Sequence, residues 1–331
     1  MEGRIADLLS FCSRVDFGTV NLSREEEGFR GELNREILSL CEYLPESMRT
    51  KAALFLVKYL QASFSSGVNF VNYFYAPAWS ILFWLLRSCP DNEKLDPECM
   101  EDAKIGHTMA MFLHAFDDHL TDGQLPVTHL ALLMRSQSWT IMDRAFERLA
   151  RGVERGSAIV RDFIDDYYSS IATSDGAKSL DSYCDLFRKQ MATWFVVPVL
   201  LARRMSTDEE FSRSIQAAYS SFGIAWRLVD DLQDIEQDMI NGVHSSIYVC
   251  LNEDLRGWWD KNTEEKKDQN NDCVQTILSY ILEEKVINTI LDRVCNELDS
   301  AASIADSCSM PGLAGEFRSL MKPLRKGQNR S

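Results

Sequence analysis

The chain has 331 residues and a net charge of −15, with 45% hydrophobic and 10% aromatic residues. This apolar content is enough for a sizeable core. The negative charge argues against nucleic acid as a partner and against a polybasic membrane anchor, because phosphate groups are bound by clustered Lys and Arg. The nine cysteines form no CxxC pair, which indicates reduced thiols in a cytoplasmic protein rather than a disulfide framework or a zinc site.

Hydrophobic runs are short throughout the chain. A membrane-spanning helix needs about 20 apolar residues, and the longest run, residues 194–202, is shorter and contains Pro198. The N-terminal segment lacks the basic start and the small-residue cleavage site of a signal peptide. We therefore predict no integral membrane segment.

Helical periodicity continues along nearly the whole chain, with only 16 Gly and 8 Pro to interrupt it. Strand-like alternation is rare, so the sequence predicts an all-α protein with one domain over residues 1–331. Ser23 followed by Glu26 predicts a capping box at one helix start. Helices are expected at 1–13, 23–42, 46–63, 70–88, up to 122, 126–153, 157–172, 179–204, 208–240, 243–252, 272–284, 285–306 and 311–323. The charged stretch 261–272 is expected to be a loop.

A first acidic cluster lies where a strongly apolar helical run ends. Asp117, Asp118 and Asp122 precede the helix breakers Gly123 and Pro126. Asp118 and Asp122 share one helix face because they are four residues apart. Carboxylates at the end of a buried helix could contribute ligands to a metal ion shared with a second cluster.

The second acidic cluster consists of Asp230, Asp234 and Asp238, which recur at i, i+4 and i+8. On one α-helix these carboxylates lie on one face, where they repel one another unless a cation lies between them. Mg²⁺ prefers such oxygen ligands and shares its remaining positions with water and phosphate oxygens. The alternative is a solvated helix face in a generally acidic chain.

Together the two clusters resemble the aspartate-rich motifs of class I isoprenoid synthases, an all-helical enzyme family. The first cluster resembles the DDxxD motif in a stretched form, with Asp122 one place late. The second resembles the metal triad of terpene cyclases. Its flanking sequence GIAWRLVDD, residues 223–231, also resembles the second aspartate motif of trans-prenyltransferases. The resemblance covers about residues 70–250 and implies a single helical bundle with a central apolar active-site cavity.

The resemblance also implies roles for individual residues. The implied cofactor is Mg²⁺, roughly three ions, with Mn²⁺ as the alternative. The implied metal ligands are Asp117, Asp118, Asp122, Asp230, Asp234 and Asp238. Asp117, Asp118 and Arg188 are the implied catalytic residues, and Arg188 and Arg227 the implied diphosphate contacts. Ordinary ion pairs are the alternative for both arginines, with Asp185 a candidate partner of Arg188.

Aromatic residues before and within the motif helices could line a pocket for an isoprenoid chain. Aromatic faces can stabilise a carbocation by cation–π attraction, although ordinary core packing is the alternative for each residue. The predicted pocket residues are Phe112, Phe116, Phe187, Trp194, Phe222 and Trp226. His119 is predicted to be a neighbour of the metal site, not a ligand, because carboxylate-rich sites favour Mg²⁺ or Mn²⁺ over Zn²⁺.

The choice between cyclisation and prenyl transfer depends on cations. Prenyltransferases of this family hold a second diphosphate with an Arg pair after the first motif and a Gly-Lys-Arg stretch near the N-terminus. Neither is present here, so we expect a cyclase acting on one substrate, farnesyl or geranylgeranyl diphosphate. The alternatives are a prenyltransferase, by chain elongation or head-to-head condensation, and a non-catalytic helical binding protein. The resemblance is also compatible with a homodimer.

Overall fold

The computed structural model describes residues 2–60, 69–88, 95–172, 176–206, 208–264 and 271–328. Within these ranges all regular structure is helical, so the predicted all-α fold is confirmed. None of the described helices is long and apolar enough to cross a bilayer. The eight cysteines in this part of the chain are free thiols.

Sixteen α-helices and one short 3-10 turn, Val71–Tyr73, make up the described fold. They are α1 (Glu2–Cys12), α2 (Arg24–Ser39), α3 (Glu46–Tyr59), α4 (Ala76–Ser88), α5 (Pro97–Thr121), α6 (His129–Arg151), α7 (Gly156–Ala172), α8 (Leu180–Gln190), α9 (Ala192–Met205), α10 (Glu209–Gln233), α11 (Ile235–Asn241), α12 (Ser246–Cys250), α13 (Glu253–Glu264), α14 (Asn271–Glu283), α15 (Val286–Ser307) and α16 (Pro311–Gln328). The loop expected at 261–272 is helical at both ends, and residues 265–270 lie outside the described residues.

Local signals set the helix ends near the site. At α2 the Ser23 hydroxyl accepts from the Glu26 N–H while the Glu26 carboxylate accepts from the Ser23 N–H, which confirms the capping box. Helix α5 ends at Thr121, and Gly123 follows with φ 71°. This left-handed conformation suits glycine and turns the chain away directly after Asp122.

The helix expected at 179–204 is two helices, because Met191 separates α8 from α9. The fully buried Met191 side chain packs onto Gly223 of α10, where a Cβ would lie 2.1 Å from its sulfur. Helix α9 continues past Pro198 to Met205. The prediction of one continuous helix was wrong because this contact with α10 is invisible in local periodicity.

The long helices pack into one bundle with a continuous apolar core. Helix α10 packs against α9 and α15, and α5 packs against α6 and α9. Trp79, Trp194 and Tyr219 are among the largest fully buried side chains. This packing fixes α5 and α10 so that the ends carrying the two acidic clusters face each other.

A buried carboxyl group ties the two ends of the chain together. Glu316 of α16 accepts hydrogen bonds from the Ser80 hydroxyl and the Trp84 indole N–H of α4. Burial, together with the nearby Glu26 carboxylate, raises the pKa of Glu316 to about 8. Glu316 is therefore mostly protonated in the folded protein near neutral pH.

We predict that this group makes the protein less stable as pH rises towards 8. Because its folded-state pKa lies above the ordinary value of 4.5, folding retains a proton that the unfolded chain loses, so its stabilising contribution is lost between about pH 4.5 and 8. Glu316→Gln should flatten this part of the pH profile. Urea denaturation at several pH values measures it, with the exposed Glu42→Gln as control. Equal profiles for Glu316→Gln and wild type would contradict the prediction.

Candidate active site

Two pairs of carboxylates face each other at one end of the bundle. Asp118 and Asp122 close α5, while Asp230 and Asp234 close α10. Burial, together with repulsion from carboxylates that include Asp234 and Asp118, raises the pKa of Asp230 to about 6. The pKa of Asp234 is also raised, first by burial and then by neighbours that include Asp118 and Asp122. The structure therefore brings these four predicted metal ligands within electrostatic reach of one another.

Asp238 has a different environment from the other two aspartates of its motif. The helix expected at 208–240 divides at Asp234, and Asp238 belongs to the short helix α11. It is buried, and its Oδ2 has no hydrogen-bond partner among the described residues. Burial raises its pKa to about 7, with Asp231 contributing next. The expected row of three carboxylates on one helix was wrong, and a metal-binding role for Asp238 stays a prediction.

Asp231 is the structural anchor of the second motif. It is 1% exposed and accepts hydrogen bonds from the Tyr183 hydroxyl at 3.1 Å and the Ser246 N–H at 2.8 Å. Its carboxylate also lies 3.0 Å from the Arg227 guanidinium. These contacts join α10 to α8 and α12. Sequence reasoning missed the role of Tyr183, because its contact with Asp231 spans 48 positions.

Arg227 supplies positive charge between the two motifs. Its guanidinium donates to the Tyr183 hydroxyl at 2.9 Å, lies 3.5 Å from Asp230 and faces the ring of Phe187. Burial raises the pKa of both Asp122 and Asp230, and the charge of Arg227 offsets part of that rise at each, so it acts on both acidic pairs. Arg227 therefore forms the ion pairs with nearby carboxylates that were the alternative in the sequence analysis. Its guanidinium also faces the site.

Asp117 is directed away from the facing pairs. Arg135 of α6 holds it in a two-pronged ion pair, with N–O distances of 3.0 and 2.8 Å. The Arg135 guanidinium in turn lies over the Trp139 ring. Consecutive helical residues point about 100° apart, so Asp117 faces α6 while Asp118 faces α10. Its predicted role as a metal ligand and catalytic residue stays untested, and this geometry assigns it first to fixing α6.

Arg188 lies deeper in the bundle than the carboxylates. It pairs with Asp185, which was the alternative left open by the sequence, and lies 3.7 Å from Glu297 and 3.2 Å from Ser220. Ser220 precedes Asp230 by ten residues, which corresponds to about 15 Å along a helix. The structure does not bring Arg188 to the acidic pairs, so its diphosphate-binding and catalytic roles remain predictions.

The predicted pocket residues fall into three groups. Trp194 stacks on Trp226 with ring centroids 5.5 Å apart, and His114 contacts both rings and Phe187. Phe112 stacks on Phe116 on another side of α5. Phe222 contacts Tyr219 and Phe317 instead, towards α16. The structure thus shows ring-to-ring contact within each of these groups, and a role for them as pocket residues stays a prediction.

His114 was not assigned to the pocket from the sequence. It lies four residues before Asp118, a spacing that places both on one helix face and could have indicated its position. Burial, together with the nearby Arg227 charge, lowers the pKa of His114 to about 4. His114 is therefore a neutral imidazole among aromatic rings, directly below the acidic pairs.

The donor set at the facing carboxylates fits Mg²⁺. Burial and mutual repulsion raise the pKa values of Asp230 and Asp234, so a cation between the pairs would relieve an existing electrostatic cost. No three His, Cys, Asp or Glu side chains in the described ranges converge closely enough to hold an ion by themselves. Mg²⁺ is commonly held by one or two carboxylates together with substrate phosphates. The facing pairs can provide these carboxylates.

Comparisons with known proteins reveal the fold through structure alone. No protein-family model matches the chain, and neither does any curated protein sequence. A geranylgeranyl pyrophosphate synthase from Corynebacterium glutamicum is similar, with TM-score 0.66, 12% identity, and coverage of 96% of this chain and 98% of that one.

A heptaprenyl diphosphate synthase from Staphylococcus aureus aligns with TM-score 0.67 and 11% identity, covering 92% of this chain and 98% of that one. A polyprenyl synthase from Caulobacter crescentus, complexed with calcium and isoprenyl diphosphate, aligns with TM-score 0.64 and 13% identity over 93% of this chain and 99% of that one. The chain has the fold of these isoprenoid synthases.

We predict that two aspartates three positions apart respond differently to mutation. Asp231→Ala leaves Arg227, Tyr183 and the Ser246 N–H without their acceptor and should lower the free energy of unfolding by about 3 kcal/mol or more. Asp234→Ala, the matched control, removes an exposed and electrostatically repelled carboxylate and should leave stability unchanged or slightly higher. Urea denaturation without metal measures both. Equal destabilisation of the two variants would contradict the assignment of Asp231 as the anchor.

Proposed function

We propose that this protein is a metal-dependent enzyme that ionises an allylic isoprenyl diphosphate and transfers the resulting cation to a second isoprenoid unit. The observation that carries the proposal is the pairing of Asp118 and Asp122 with Asp230 and Asp234 across the end of the bundle. Carboxylates on two facing helix ends suit ions that are shared with a diphosphate. The fold shared with three prenyl or polyprenyl diphosphate synthases supports the same chemistry.

The residues of this chain have separate tasks in that reaction. The four facing carboxylates hold Mg²⁺, which when bound neutralises the diphosphate and stabilises it as it leaves. Arg227 contributes a fixed positive charge beside Asp230, directed towards the same diphosphate. Asp231 and Tyr183 hold Arg227 in place from below. The carboxylates stay oriented because each projects from the last turn of a packed helix.

The apolar part of the substrate extends down from the acidic pairs. Trp194, Trp226 and His114 lie directly below them and would contact the isoprenoid chain near its charged end. Aromatic faces can stabilise an allylic cation, and a neutral imidazole adds no positive charge that would repel it. Movement of these rings sets the length of chain that can enter.

Prenyl transfer is favoured over cyclisation by the extent of the structural similarity. The matched synthases are covered over 98–99% of their length, so the chain has counterparts for nearly all of their elements. The substrate class, an isoprenyl diphosphate, follows the ligand of the Caulobacter crescentus structure. Chain length and acceptor are set by the pocket.

Cyclisation of a single allylic diphosphate is the second candidate, because cations near the site are few. Arg135 and Arg227, the described cations next to the motifs, are both engaged by aspartates. A second diphosphate requires additional positive charge. The shortage of cations favours an enzyme that binds one diphosphate and a hydrocarbon tail.

The decisive experiment is incubation with Mg²⁺ and geranyl, farnesyl or geranylgeranyl diphosphate, each alone and with isopentenyl diphosphate. Products are identified by gas chromatography–mass spectrometry before and after phosphatase treatment. We expect a longer prenyl alcohol only with isopentenyl diphosphate and after phosphatase. Asp118→Asn and Asp234→Asn should each reduce the rate about a hundredfold or more. The surface variant Asp165→Asn is the control.

Two other outcomes of this experiment would indicate a different function. A cyclic hydrocarbon or alcohol from one substrate alone would reject prenyl transfer and establish cyclisation. Tight Mg²⁺-dependent diphosphate binding with no product from any substrate would reject both activities and indicate a non-catalytic binding protein.

We predict that the two arginines assigned from the sequence contribute unequally to diphosphate binding. Arg227→Gln removes a charge beside Asp230 and should weaken Mg²⁺-dependent binding of inorganic pyrophosphate about tenfold or more. Arg188→Gln should leave the affinity nearly unchanged, because its partners are Asp185, Glu297 and Ser220. Calorimetric titration below the unfolding temperature of each variant measures both. A comparable loss in Arg188→Gln would restore the role suggested by the sequence.

A further inference from the structure

His119 lies between two tyrosines at the edge of the acidic pairs. Its Nδ1 is 2.7 Å from the Tyr59 hydroxyl, and its Nε2 is 3.2 Å from the Tyr73 hydroxyl. Both tyrosine rings meet the imidazole edge-on, at 5.5 and 5.6 Å between centroids. The three side chains come from α5, α3 and the 3-10 turn, so the contact joins three separate segments at the site.

The numbers of donors and acceptors limit how His119, Tyr59 and Tyr73 can hydrogen-bond to one another. A neutral imidazole has one N–H donor and one acceptor nitrogen. If Tyr59 donates to Nδ1, then Nε2–H donates to the Tyr73 oxygen and the Tyr73 O–H remains available as a donor. The shorter distance at Nδ1 and the longer one at Nε2 match an O–H donor and an N–H donor, respectively.

The position of Tyr73 makes its available O–H relevant to the site. The residue is 55% exposed, in contrast to the neighbouring buried Phe70 and Phe74, whose rings it contacts. Asp230, Asp118 and Asp234 all act electrostatically on its hydroxyl. The phenol group is therefore exposed to solvent and within electrostatic reach of carboxylates from both acidic pairs.

We propose that Tyr73 is a further catalytic residue, whose O–H donates a hydrogen bond to the diphosphate as it departs, and that His119 and Tyr59 are positioning residues that hold this O–H outward. The inference rests on the proposed function and adds a protein donor to it. When the bond between the allylic carbon and the diphosphate oxygen breaks, its electron pair stays on the oxygen. A donor fixed in advance stabilises this growing charge more than it stabilises the bound substrate.

The chemistry of a phenol suits this place. The surrounding carboxylates are acceptors and cannot themselves donate to a phosphate oxygen when ionised. A neutral hydroxyl adds a donor without the additional cation that the site lacks. The alternative is a purely structural role, in which Tyr73 contacts His119 and its hydroxyl forms no hydrogen bond with the diphosphate.

The test compares steady-state kinetics of Tyr73→Phe and Tyr59→Phe with a matched control, Tyr75→Phe. Tyr75 is two residues away, and its hydroxyl pairs with Asp16 instead of His119. For Tyr73→Phe we expect kcat to fall about tenfold to a hundredfold with KM nearly unchanged. Tyr59→Phe should lower kcat less, and Tyr75→Phe should not change it. His119→Gln keeps an N–H donor and should retain more activity than His119→Leu.

Binding of inorganic pyrophosphate with Mg²⁺ gives a readout independent of turnover. Pyrophosphate carries the charge of the leaving group, so Tyr73→Phe should bind it about tenfold more weakly than wild type, and Tyr75→Phe should not. An active wild type with unchanged Tyr73→Phe kinetics and affinity would overturn this inference and leave the proposed function intact. A wild type that neither binds pyrophosphate nor turns over would overturn both. Loss of kcat in Tyr75→Phe equal to that in Tyr73→Phe would also reject the specific role.

Discussion

The concentration of negative charge at the meeting ends of α5 and α10 is the constraint on which the rest of the site depends. Asp118, Asp122, Asp230 and Asp234 lie within one another's electrostatic field and are only partly screened by water. Packing of both helices into the core holds this arrangement in spite of the repulsion. Under the proposed function, bound cations and a diphosphate would offset this repulsion, so the electrostatic cost would favour ligand binding.

In each motif, one of two consecutive aspartates forms a structural ion pair and the other does not. Asp231 and Asp117 are committed to Arg227 and Arg135, whereas Asp230 and Asp118 stay directed towards the opening. The division follows from helix geometry, since consecutive side chains point about 100° apart and a doubled aspartate must serve two directions. One carboxylate then fixes the helix while the other remains available to a ligand.

The aromatic interior connects the charged end of the bundle with its apolar core. Trp194 and Trp226 stack beside His114, while Phe112 and Phe116 stack on each other on another side of α5. Repacking of such rings requires no loss of backbone hydrogen bonds, so a substrate chain could be admitted without unfolding a helix. The same fold occurs in synthases only 11–13% identical to this chain, which fits an architecture maintained by burial pattern more than by particular residues.

The sequence by itself determined the helical class, the capping box at Ser23 and Glu26, and the two acidic clusters, because each depends on residues a few positions apart. It also paired Asp118 with Asp122 correctly on one face. Only the tertiary structure decided that Met191 and Asp234 interrupt helices, that Arg188 faces Glu297, and that Tyr73 and Tyr59 meet His119. These contacts join residues far apart in the chain, and no local periodicity records which helices become neighbours when the core packs.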